Sequence, residues 1–243
     1  PDLEILKIPA WDCLPYDRVS PNSGITSQRC FALTRIAELD VNHTCLILIT
    51  VNAYLQRLPP LSFFKGMSIN LKLNKSYPLS ELLLTLENGG YFRTDTVREA
   101  GEFAVRGGII DIYPAGRDEP LRLDFFGDEL ESVKRFDPIT QRSIDSIEFA
   151  KLSPVAEIIL NSESINRFKS SYREAFGAKA SNDQIYQTIA EGRYYVGMEH
   201  WLPFFYNRLD TLEVYAKSNF VSLDSEVEAV AQTRFELINE YFE

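Results

Sequence analysis

Between Glu99 and Asp137 the chain reads EAGEFAVRGGIIDIYPAGRDEPLRLDFFGDELESVKRFD, short runs of alternating apolar and polar residues separated by glycine-bearing turns. Connections this short join only antiparallel neighbours, so the pattern predicts a four-stranded antiparallel meander. Successive side chains of a strand point to opposite faces. Leu121, Leu123 and Phe125 therefore form one face, and Arg122, Asp124 and Phe126 the other. In the preceding strand Phe103 and Val105 alternate with Glu102, Ala104 and Arg106, and Arg106 closes that strand at a turn. Gly107-Gly108 is expected to supply the positive backbone angles of a tight hairpin. Pro114-Ala115-Gly116 and Gly127-Asp128 mark the next two reversals. Phe126 directly follows Phe125, so one of two adjacent large aromatics must leave the core face.

Two readings fit this face. Two planar guanidinium forks beside an exposed ring make an interaction site for another macromolecule. Alternatively, Arg106 and Arg122 pair with Glu102, Asp111 or Asp124 in a solvated ladder contributing about 0.2 to 1 kcal/mol per pair, while Phe126 tucks under a loop. The fourth strand, Leu130 to Asp137, is ambiguous: Val133 argues for one inward set and Phe136 for the other, which leaves the facing of Lys134 and Arg135 open.

The rest of the chain sets this segment in context. Leu3 to Pro9 reads as a short strand, Ser27 to Leu39 as a helix, and the apolar run from Cys45 to Val51 as a parallel strand buried on both faces. Met67 to Pro154 changes to alternating strands around one helix, Ser80 to Asn88, with Ser80 as its expected N-cap and Gly89-Gly90 as its stop. Ser162–Phe176 and Asn182–Glu191 read as helices. Val214-Tyr215 and Phe220 to Leu223 are weak strand candidates, and a final helix starts near Asp224 or Ser225 with an apolar stripe at Val227, Val230, Ala231, Phe235, Ile238 and Tyr241. The expected architecture is an α/β parallel-sheet domain in two pieces, 1–66 and 155–243, interrupted by an α+β antiparallel-sheet domain at 67–154.

Composition excludes several functions. With 25 Lys plus Arg against 35 Asp plus Glu, the formal charge of −10 repels a phosphate backbone. Three scattered cysteines, Cys13, Cys30 and Cys45, match neither a disulfide framework nor a zinc site and fit a reducing, cytoplasmic setting. No apolar run approaches the roughly 20 residues of a membrane span. Two histidines, His43 and His200, leave little for a metal cluster or a histidine-activated nucleophile, and neither a GxxxxGK[ST] phosphate loop nor a GxSxG elbow occurs. A chain that starts at Pro1 directly in strand-like sequence reads as a fragment of something longer.

LPYDRVSP at 14–21, the strings of 101–116 and 121–142, LSPVAE at 152–157 and GMEHW at 197–201 together resemble the amino-terminal, UvrB-like module of the bacterial transcription-repair coupling factor (Mfd) family. The resemblance covers essentially the whole chain. It implies a degenerate helicase-like domain similar to UvrB domain 1, carrying an inserted domain that docks on UvrA. UvrB itself, an excision-repair helicase subunit, is the alternative. UvrB carries a long aromatic hairpin after its PYD string, whereas Tyr16-Asp17 is followed here within a dozen residues by the helix; its DESH hydrolysis motif corresponds to Phe220–Ser225, which lacks the paired acid. Matched motif by motif, the family's UvrA contacts fall on Arg106, Arg122 and Phe126. The resemblance further implies no catalytic residues, cofactor or metal in this segment. ATP and Mg²⁺ would act in the translocase part of the parent, RNA polymerase and DNA would bind other domains, and a carboxy-terminal domain of the same protein would mask the UvrA face at rest. Arg122→Ala or Phe126→Ala is then expected to weaken UvrA binding by about 1 to 3 kcal/mol with little loss of folding stability.

Overall fold

The computed structural model describes residues 3–40, 43–217 and 220–242. In chain order they form β1 (Glu4–Ile8), α1 (Ser23–Ala37), β2 (Cys45–Ile49), α2 (Val51–Tyr54), α3 (Leu61–Phe64), β3 (Ile69–Lys72), α4 (Leu79–Asn88), β4 (Phe92–Arg93), β5 (Glu102–Arg106), β6 (Ile109–Ile112), β7 (Leu121–Phe126), β8 (Glu129–Phe136), β9 (Ser143–Ile147), β10 (Phe149–Leu152), α5 (Ser162–Phe176), α6 (Gln184–Ala190), α7 (Leu212–Ala216) and α8 (Val227–Phe242), with 3₁₀ turns at Gly177–Asn182 and Met198–Phe204. The fold is mixed α/β, with both parallel and antiparallel sheets. Backbone contacts divide it into two compact units: residues up to Ile25 with Leu39–Phe63 and everything from Glu157, and Thr26–Glu38 with Phe64–Ala156.

In the first unit β1 and β2 pair in parallel, from Glu4 opposite Cys45 to Ile8 opposite Ile49. Leu6 and Ile8 are buried, but Leu3, Ile5, Leu46 and Leu48 are exposed. The apolar run of β2 thus makes the expected parallel pairing without being covered on both faces. A run of β-branched and aliphatic residues specifies what a strand can tolerate, whereas a second layer has to come from elsewhere in the fold. The helical part is built on α5. Asn161 and Ser164 form a reciprocal capping box at its start, and Phe168 and Tyr172 are buried among Tyr186, Trp201, Phe204 and Phe205.

Two strand expectations fail in this unit. Val214 and Tyr215 belong to α7, where Leu212 and Tyr215 bury one face and the Tyr215 hydroxyl donates to the Pro59 carbonyl at 2.7 Å. A pair of adjacent apolar residues satisfies strand and helix periodicity equally, and the i, i+3 partner decides. Phe220 to Leu223 is irregular and exposed. The final helix begins two to three residues later than expected, after Asp224 accepts the Glu226 amide, and packs on α2. None of its residues is buried; the stripe half-buried against the unit is Val227, Ala231, Arg234 and Ile238.

The second unit holds a six-stranded sheet in the order β4-β5-β6-β7-β8-β9. The meander of β5 to β8 is present, lengthened by antiparallel β9 at one edge and by two residues of parallel β4 at the other. Its inner face carries Phe103, Ile110, Ile112, Leu121, Leu123, Phe125, Leu130 and Val133, which join Leu82 and Leu86 of α4, Leu71 of β3 and Ala150 and Leu152 of β10 in one core. From Thr26 onward α1 groups with this unit. A Cβ on Gly116 would lie 2.2 Å from the Phe31 ring, so only glycine admits the helix at that turn, and Glu38 accepts from Ser68 and Lys151.

Local chemistry explains the remaining departures. α4 starts at Leu79, one residue before the expected cap, and Ser80 lies inside it. The Leu79 amide is accepted instead by Asp128, 49 positions away, at 3.2 Å, so the cap comes from the β7–β8 turn. Asp128→Ala should lower stability by about 1 kcal/mol, the usual value of a lost cap, in urea denaturation. Of the Gly107-Gly108 pair only Gly107 has positive φ, +61°. Gly108 is required for another reason: a Cβ there would sit 2.4 Å from the Phe125 carbonyl oxygen, where the β6 and β7 backbones meet.

Candidate docking site

The outer face of the six-stranded sheet has a covered half and a bare half. At one end Val97, Ala104 and Phe136 are buried together, with Tyr113 packed against them. This small second core explains the ambiguous alternation of β8. Val133 lies in the main core and Phe136 in the outer one, so both inward sets are real and belong to opposite faces. Lys134, opposite Arg122 on the neighbouring strand, shares the outer face. Arg135, opposite Leu121, is on the other side and pairs with Glu119 and Asp145. A bulge at Asp124/Phe125 is absorbed by β8, so the alternation of β7 survives it.

At the border of this cover, the sheet register sets Ala104 opposite Asp111 and Asp111 opposite Arg122, placing the acid between strands that carry the two arginines. Asp111 is 1% exposed. It accepts from Arg106 Nη2 at 2.5 Å and from Arg122 Nε and Nη2 at 2.7 and 2.9 Å. The Arg122 guanidinium also lies 4.8 Å from the centre of the Phe136 ring, and its Nη1 donates to the Gln141 carbonyl at 3.4 Å. The Asp111 carboxylate beside it pushes the pKa of this guanidinium above its already high ordinary value. The loop after β8 is stiffened in turn: Asp137 accepts the Ile139 and Thr140 amides, and Gln141 Nε2 donates to the Val97 and Pro138 carbonyls.

Fixed on three sides, the Arg122 side chain is 22% exposed, whereas that of Arg106 is 54% exposed. Phe126 stands at the tip of β7, 77% exposed. From Arg122 to Phe126 is four residues along one face, about 13 Å at roughly 3.3 Å per residue. Arg106, Arg122 and Phe126 are therefore brought to one face. The arginines are ion-paired as a ladder requires, and the ring is open as an interaction site requires. Arg122 departs from the expectation of a dispensable surface group, because it neutralises a buried acid. The signal for Asp111 was in the sequence as IIDI, an acid flanked by isoleucines that are both fully buried. The role of the 137–142 loop had no such signal.

Comparison with known proteins bears on this same segment. Residues 69–157 match the family model of the UvrB interaction domain, a span that contains every residue of the face just described. The chain as a whole is similar to transcription-repair-coupling factors: 34% identical over 206 residues to that of Escherichia coli, covering 85% of this chain and 18% of the relative; 33% over 233 residues to that of Haemophilus influenzae, covering 96% and 20%; and 36% over 222 residues to that of Rickettsia prowazekii, covering 91% and 20%. The chain thus spans about a fifth of the length of the curated relatives it matches.

Outside residues 69–157, the motif strings of the first unit make structural contacts. Ser20 of LPYDRVSP donates to Glu199 at 2.7 Å, accepts the Gly197 amide at 2.8 Å and meets the Tyr194 hydroxyl at 2.5 Å, which ties that loop to GMEHW. His200 lies edge-on to Trp11, with its Nε2 3.0 Å from the Val19 carbonyl and 3.8 Å from Cys13 Sγ. This is no nucleophile dyad. A carbonyl only accepts, so Nε2 carries the hydrogen and cannot take a thiol proton, and burial, then Asp12, Asp17 and Glu199, push the Cys13 thiol up to about 11. Cys13 should resist iodoacetamide at pH 7.5 in the folded chain and react only after denaturation, as read by peptide mass spectrometry. Among the described residues no group of three or more His, Cys, Asp or Glu could hold a metal ion.

Proposed function

We propose that this chain is the UvrB-like module of a transcription-repair coupling factor, and that the bare half of the outer sheet face in its UvrB interaction domain recruits UvrA, with Arg106, Arg122 and Phe126 as the contact residues. The observation that carries this reading is an aromatic ring 77% exposed on the same sheet face as an arginine pair, within a segment matching an interaction domain. A buried interface gains most from rigid aromatic and guanidinium anchors whose ordering has already been met by folding. Phe126 would fill an apolar pocket on UvrA, and the arginine donors not held by Asp111 would meet carboxylate or carbonyl acceptors.

The division between this segment and the parent is also a proposal. The parent would release stalled RNA polymerase with an ATP-driven translocase located elsewhere and act on DNA in the cytoplasm. This segment would take no part in hydrolysis: Phe220–Ser225 contains no pair of adjacent acids and forms no strand that could present one. No helix among the described residues is long and apolar enough to cross a membrane. Isothermal titration of the 243-residue chain with purified UvrA tests recruitment, and a heat of binding abolished by a Phe126, Arg106 double alanine variant is the expected result. Unchanged binding by that variant overturns the site; measurable Mg-ATP binding by the chain favours a UvrB-type motor instead.

A further inference from the structure

Resting on that docking reading, we infer that Asp111 is the positioning residue of the patch and that the two arginines contribute unequally, Arg122 chiefly locking the acid in place and Arg106 offering the partner the larger exposed part of its fork. Three observations carry this. Asp111 is the shared acceptor of both guanidinium groups, yet at 1% exposure it cannot itself reach a partner. Arg122 commits Nε, Nη1 and Nη2 within the domain and rests on the Phe136 ring. Arg106 commits one nitrogen, Nη2, and leaves more than half of its side chain in solvent.

An exposed arginine ordinarily samples many rotamers, and binding must then order it, a cost that preorganisation removes. The bond from Nη2 to Asp111 fixes the plane of the Arg106 fork and leaves Nε and Nη1 without an acceptor on Asp111. N–H groups held in one plane but diverging suit separate carboxylate or carbonyl oxygens. The partner surface is therefore expected to place an acidic side chain, or a turn with bare carbonyls, opposite Arg106. Without the Asp111 charge, Arg122 is still held by the Phe136 ring and the Gln141 carbonyl, whereas Arg106 swings free.

The test is a set of binding cycles on the full 243-residue chain with UvrA, with circular dichroism and thermal melts to establish folding. Asp111→Asn, which preserves shape and removes charge, is expected to weaken UvrA about tenfold. The same change should cause little further loss in an Arg106→Ala background and the full tenfold loss in a Phe126→Ala background, a pattern that general loosening of the domain would not produce. Native affinity of Asp111→Asn, or an undiminished further loss in the Arg106→Ala background, overturns the inference while leaving the docking site standing. Native affinity of Arg106→Ala and Phe126→Ala together overturns the docking reading and this inference with it. If Asp111→Asn does not fold, Arg106→Lys replaces it: a point charge without the fork should bind about fivefold more weakly, and native affinity overturns the positioning role.

Discussion

Arg122→Ala is expected to cost about 2 to 3 kcal/mol of folding stability as well as UvrA affinity. Removing one partner of a buried ion pair typically costs about 3 to 5 kcal/mol, because the charge left behind has no water to return to. Here Asp111 keeps one bond to Arg106, which lowers the figure. Two further contacts go with the side chain, the one over the Phe136 ring and the one to the Gln141 carbonyl, so the outer core of Val97, Ala104 and Phe136 should loosen too. Urea denaturation of the wild-type and variant chains measures this. A loss below about 0.5 kcal/mol, the range of ordinary surface substitutions, would mean that Asp111 is adequately held by Arg106 alone. Arg122→Lys separates charge from geometry: it restores a cation but only a point contact, and partial recovery is expected.

Phe126→Ala should do the opposite, leaving stability within about 0.5 kcal/mol of wild type and weakening UvrA binding by about 2 to 3 kcal/mol, roughly 30- to 150-fold in dissociation constant. The ring contributes little to the core: Phe125 next to it is buried and Phe126 is not, and the hairpin turn it precedes is set by the positive φ of Gly127. Its truncation therefore removes contact area available only to a partner. Titration calorimetry with UvrA reads the affinity and urea denaturation reads the stability. A variant that binds normally would exclude Phe126 as an anchor; one that unfolds would mean that the ring supports the domain in a way its exposure does not suggest.

The contrast between the two residues shows what alternation can and cannot say. Period-two patterning placed Arg122 and Phe126 on the same side of β7, and the structure agrees. It could not distinguish a side chain that is outside the main core from one that is free, because that depends on what covers the outer face. The cover comes from Val97 and the 137–142 loop, whose positions are set by hydrogen bonds from Gln141 rather than by any local pattern. The same limit explains Ser80: its sequence context is that of an N-cap, but a carboxylate from a distant turn satisfies the helix end one residue earlier. It explains the grouping of α1 as well, since periodicity reports that a helix has an apolar face and not which neighbour that face will meet.

Side-chain period, glycine placement and turn chemistry are local properties, and they determined the strand sequence of the meander, the sides its residues take, and the residues that resemble an interaction domain. Which strands extend the sheet, which half of its outer face is covered, and how one buried carboxylate comes to hold two arginines are results of contacts between segments far apart in the chain. Their energies depend on burial and distance, and those quantities come into existence only when the chain has folded.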